Sequence, residues 1–144
     1  MGTMNRTRVY LGGLVAGVFI FLANYVLHGL MLSADWKAAM SALGKAPTSE
    51  NAASSMILFG LEALVTGVAA AWVYAAIRPR FGAGAGTAVR GGLWVWVMAS
   101  LGPAIINRAL GLFPSRLIVV PLIGDLIILV LASVIAGAIY QEAA

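Results

Sequence analysis

The side chains able to do chemistry in this chain are few, and they stand where polar groups are costly. Asn24, His28, Glu62, Asn107, Arg108 and Asp125 all lie inside long apolar runs. Asn24 and His28 are four residues apart, which places them on one face of a helix. Glu62 and Asp125 sit about 9–12 Å from the entry of their runs at ~1.5 Å per helical residue. A charged group at that depth in a bilayer costs at least ~2.5–3.5 kcal/mol on insertion scales, so these groups should face inward and interact. Arg108 can balance only one negative charge. With both carboxylates ionised, neutrality would need a protonated His28 or a carboxyl that has taken up a proton, a shared titration found at functional sites and in structural ion pairs alike. The six residues are therefore read as a ligand-binding site for a small polar or amphipathic molecule. Acid–base chemistry is within its repertoire, but no catalytic residue is assigned. Each residue also has a plainer role: Arg108, about one turn from its helix end, can snorkel to headgroups, His28 can be an interfacial hydrogen-bonding group, and the carboxylates can tie helices together.

Other chemistries have little to work with. The chain has no cysteine, which excludes disulfides, thiolate catalysis, Cys-bound zinc and iron–sulfur clusters. A single histidine means that a metal site would need carboxylates or a second subunit, so neither metal nor cofactor is expected. The glycine-rich run 81–86 lacks the Gly-Lys-Ser/Thr ending of a phosphate loop and is read as a turn. Trp94 and Trp96 are two apart and face different directions on a helix, as packing or lipid contacts do. The net charge of +4 comes from nine basic residues spread over helix ends, where they act as topology signals, and no nucleic-acid partner is expected.

The elements that must hold these residues follow from composition. With 144 residues, 62% hydrophobic and 10% charged, the chain fits about four membrane helices of ~20 residues and no extramembrane domain. The expected fold is all-α: a four-helix antiparallel transmembrane bundle with spans at about 9–32, 56–77, 87–112 and 117–140. The first apolar run is too long for the core of a secretory signal. A short interfacial helix is expected over 35–43, capped by Ser33, stopped by Gly44, and laying Trp36, Met40 and Leu43 on the membrane surface. A polar stretch, 45–55, containing Pro47, Ser49, Glu50 and Asn51, leads to the second span. Arg78-Pro79-Arg80 should end that span, Gly102-Pro103 should kink the third, and Ser115 should cap the fourth.

Alternating helix direction carries the site argument. Asn24, His28, Asn107 and Arg108 lie near the ends of outgoing helices, and Glu62 and Asp125 near the starts of returning ones. All six then fall in one leaflet, on the side of the interfacial helix, whereas the other half offers only Thr66, Ser100 and Ser133. A polar path across the membrane needs polar groups at successive depths, so no ion or proton conduction is expected. The small residues Gly13 and Gly17, with Gly12 and Ala16, form a close-packing face on the first span, and Ala63, Gly67 and Ala71 form another on the second. The first face, together with the small core open to four helices, suggests a homo-oligomer or a place in a larger membrane complex. Five arginines on the N-terminal side against four basic residues on the other lean toward cytoplasmic termini.

The order of features resembles a small bacterial membrane-protein family known as domain of unknown function 1761. The matching stretches are Tyr25 to Trp36 with the Lys37-to-Gly44 segment after it, Gly91-Gly92 leading Leu93 to Trp96, and Asp125 followed by the small-residue end Ala136-Gly137-Ala138. The resemblance implies a four-span protein of the bacterial inner membrane and supplies no reaction.

Overall fold

The computed structural model describes residues 4–45 and 49–142, with side chains at 49–51 outside the description. The described residues are helical, with no strand among them. Helix α1 (Arg6–Asn24) opens with Asn5, whose Oδ1 accepts the Arg8 N–H at 3.1 Å, and continues as a π segment, Tyr25–Met31. The short α2 (Ser33–Ala42) follows, then the long α3 (Ser49–Phe81). Helix α4 (Ala85–Trp96) passes through a second π segment, Val97–Leu101, into α5 (Gly102–Leu110), and α6 (Arg116–Ile139) closes the chain. Four stretches, Arg6–Met31, Ala52–Phe81, Ala85–Leu110 and Arg116–Ile139, are long and apolar enough to cross a membrane.

Burial is inverted relative to a water-soluble protein. Many large apolar side chains point outward, with Ile57 71% and Phe59 64% exposed, whereas Ala16, Ala70, Ala132 and Ala136 are fully buried. Small residues at the centre allow backbones to approach closely where hydrophobic collapse offers nothing, as in lipid. A Cβ added at Gly13 would lie 2.6 Å from Val68 Cα, one at Gly17 2.7 Å from Leu64 Cα, and one at Gly67 would strike the backbone of both glycines. Partner numbers fall along α3 as they rise along α1. The glycine face of the first span is thus occupied by α3 of the same chain. Helix α4 meets α6 just as closely, since a Cβ on Gly92 would be 2.7 Å from Val130 Cα.

Several element boundaries differ from the sequence reading. Helix α3 begins at Ser49, not at 56, because hydropathy marks the stretch that needs lipid and not the point where helical hydrogen bonding starts. Residues 46–48, including Pro47, lie outside the described residues. Helix α3 also runs through Pro79 and stops at Gly82, whose φ of +84° suits a residue without Cβ. Ser33 is the first helical residue of α2 and caps nothing, because the preceding π turn runs directly into it. Gly44 stops α2 as expected: at φ +69°, it donates to Ser41 O, and Lys45 N–H donates to Met40 O at 2.8 Å, the paired bonds of a Schellman ending. Leu43 is 43% exposed, so the inward face of α2 is carried by Trp36, Ala39 and Met40. Ser115 occupies the N-cap of α6 without a side-chain bond. Near Gly102-Pro103 the third span departs from α geometry, because Pro103 offers no N–H to the carbonyl one turn earlier and the Gly102 N–H bonds Val97 O five residues back.

Candidate functional site

Four of the six polar residues border one cavity of about 160 Å³: Asn24, His28, Glu62 and Asp125, joined by Thr66 and Ser100 and floored by Ile20 and Leu129. On the liquid-volume scale of ~30 Å³ per water, that is room for about five waters or one small solute. Both π segments feed it. The first carries His28, and the second carries Ala99 and Ser100. A π turn inserts one extra residue per loop of the ladder and re-aims side chains, a device frequent at functional sites. At Gly29, within the first π turn, an added Cβ would lie 3.1 Å from the Tyr25 ring.

Each carboxylate is held by a hydroxyl, but Glu62 is exposed and not turned inward as expected, whereas Asp125 is partly buried. Thr66 Oγ1 donates to Glu62 Oε1 at 2.8 Å along α3, and Ser100 Oγ donates to Asp125 Oδ2 at 2.9 Å between the third span and α6. His28 is held from outside the cavity: Trp36 Nε1–H donates to His28 Nδ1 at 3.1 Å. An indole nitrogen only donates, so Nδ1 is the acceptor and the neutral ring carries its proton on Nε2. Trp36 in turn packs edge-on against Phe113 at 5.4 Å, and Asp35 lies 3.6 Å from Arg116 Nε, so α2 is tied to the π segment after α1 through His28 and to the start of α6 through Phe113 and Arg116. The Asp35–Arg116 pair, largely exposed, adds only ~0–1 kcal/mol, so the aromatic contacts carry the attachment. Asn24 Oδ1 is buried and has no partner among the described residues.

Asn107 and Arg108 do not border the cavity. They lie on α5 beyond the second π segment, and Arg108 is exposed and pairs with neither carboxylate. The expected role of Arg108 as counter-charge is not met among the described residues, where it lies exposed near the end of α5. Thr66 and Ser100, assigned from sequence to the opposite half, belong to the site. Thr66 was discoverable as the i+4 neighbour of Glu62, whereas the Ser100–Asp125 bond spans 25 residues and has no local signal.

A second polar knot lies at the other end of the helices. Arg78 Nη1 sits 2.7 Å from Glu142 Oε1, and Tyr74 and Tyr140 meet edge-on at 5.9 Å. Their hydroxyls accept the N–H groups of Gly84 and Asn5. Set against protein-family models, curated proteins and solved structures, the chain matches none of them.

Proposed function

We propose that the chain is a four-helix antiparallel bundle spanning a membrane several times, and that the cavity between its helices binds a small molecule through polar groups. The single observation that carries this reading is the gap itself: Asn24, His28, Glu62 and Asp125 converge on open volume instead of on one another. The competing reading is an accessory or homo-oligomeric subunit whose polar residues only specify assembly, and it would have those groups meet without a space between them. Association with a second copy or with a membrane-complex partner would have to use the outward apolar faces, since Gly13 and Gly17 are buried against α3. The balance of basic residues favours an inner-membrane placement with both termini cytoplasmic, and the order of features favours kinship with the domain of unknown function 1761 family.

Thiol accessibility tests the site, and the cysteine-free chain makes the experiment clean. Ser100→Cys should react with a charged methanethiosulfonate added to one side of sealed vesicles, because thiolate forms where water reaches. Ser133→Cys, at a position with 0% exposure, should stay unreactive until the protein is denatured. If Ser100→Cys is as inert as Ser133→Cys, the ligand-binding reading fails.

A further inference from the structure

The polar cavity does not end at its own wall. Thr66 and Ala99 also border a second hollow of about 230 Å³, lined otherwise by apolar side chains including Val65, Val73, Val95 and Met98. Along α3 this groove runs from Thr66 to Val73, about 10 Å at ~1.5 Å per residue, heading away from the carboxylates. Thr66 stands at the junction, its hydroxyl given to Glu62. Val65, Ala69, Met98 and Ala99 are exposed, so the groove opens sideways between α3 and the third span, onto the apolar perimeter.

The head end has a distinct chemical demand. Glu62 and Asp125 each spend one oxygen on a hydroxyl, and among the described residues the buried Asn24 Oδ1 lacks a donor and the side-chain N–H groups bordering the cavity are the neutral ones of the Asn24 amide and His28 Nε2. The two carboxylates thus have no cationic side chain beside them. A buried acceptor left unpaired costs ~1–3 kcal/mol, so the complementary ligand brings N–H groups, and beside two carboxylates it brings them on a cation. An anionic head would face like charge.

Taking the cavity reading as its basis, we propose that the ligand is a single-chain cationic amphiphile, its ammonium-type head among Asn24, Glu62 and Asp125 and its apolar chain in the groove between α3 and the third span. The ligand enters laterally from the bilayer.

The test uses the full chain in zwitterionic nanodiscs, with binding of labelled dodecylamine, butylamine and dodecanoate measured against empty discs. Dodecylamine should bind saturably, butylamine at least tenfold more weakly, and dodecanoate not at all. Ala69→Phe fills the exposed groove wall without touching the core; it should weaken dodecylamine at least tenfold and leave butylamine unchanged. The double variant Glu62→Gln, Asp125→Asn should remove both amines. Equal binding of the two amines with a silent Ala69→Phe would overturn the amphiphile while leaving the cavity reading intact. Saturable dodecanoate binding lost in Ala69→Phe would overturn the cationic head. Absence of saturable binding by either amine would overturn the inference outright, and Ser100→Cys accessibility would then show separately whether the cavity reading falls with it.

Discussion

At the scale of single residues, the contact that most restricts the chemistry of the site is the one between Trp36 and His28. The ring of His28 has two nitrogens, and the indole N–H occupies one of them as a donor. A general base or a hydrogen-bonding group at the cavity must then act through Nε2, with the side chain steered by a residue on a different helix. Because His28 is the only histidine, ¹⁵N-histidine NMR reads its state without overlap. We predict an Nε2–H signature in the native protein and a mixture of tautomers in Trp36→Phe, which keeps the ring packing against Phe113 but loses the donor. A native spectrum dominated by Nδ1–H would show that this hydrogen bond does not set the tautomer.

Among the elements, the decisive feature is how nearly the helix backbones touch. The close approach of α1 and α3 depends on Gly13, Gly17 and Gly67, and a methyl on Gly67 would meet main chain that cannot move as a flexible side chain does. Gly67→Ala should therefore destabilise the detergent-solubilised protein by ~1–3 kcal/mol, the usual cost of overpacking. Gly86→Ala is the internal control, since nothing lies within 4 Å of the added Cβ in helix α4; it should be neutral or stabilising by up to ~1 kcal/mol. Equal thermal midpoints for the two variants would refute the packing. The same geometry changes what Gly13→Leu means: it should unfold or loosen the monomer, and a loss of oligomer in that variant would not by itself locate an interface between copies.

For the whole molecule, the polar cavity is closed on one side. Moving from it toward the chain termini, the helices present Ile20, Ala16, Leu129 and Ala132, buried to within 4% exposure, and beyond them the Tyr74–Tyr140 pair tied down by backbone N–H groups and the Arg78–Glu142 bridge. Ser133 is the polar group within that layer, and its hydroxyl has no partner among the described residues. An ion needs replacement solvation at each depth, which one hydroxyl does not supply. Reconstituted vesicles should therefore show no proton or alkali-cation flux above protein-free controls. A flux abolished by Glu62→Gln or Asp125→Asn, and retained in Lys45→Gln, would make a transporter the better description.

Composition alone specified the number and character of the helices: an apolar excess with basic and glycine punctuation permits four long apolar helices and a short one, since each apolar run must meet its own hydrogen bonds. The order of residues also led to the expectation that Asn24, His28, Glu62 and Asp125 share one level, on the assumption of alternating helix direction and a constant rise per residue, and these four border one cavity. Spacing along one helix even contained the Thr66–Glu62 pair. Only the tertiary structure decided the rest. Arg108 lies exposed on α5, beyond the second π segment, and a hydropathy pattern carries no record of which way a helix face turns. The Gly13 face packs against α3, a choice of neighbour that a ladder of small residues does not specify. Bonds such as Trp36 to His28 and Ser100 to Asp125 join separate helices, and their existence depends on the lateral arrangement and rotation of those helices, degrees of freedom that local residue preferences leave open.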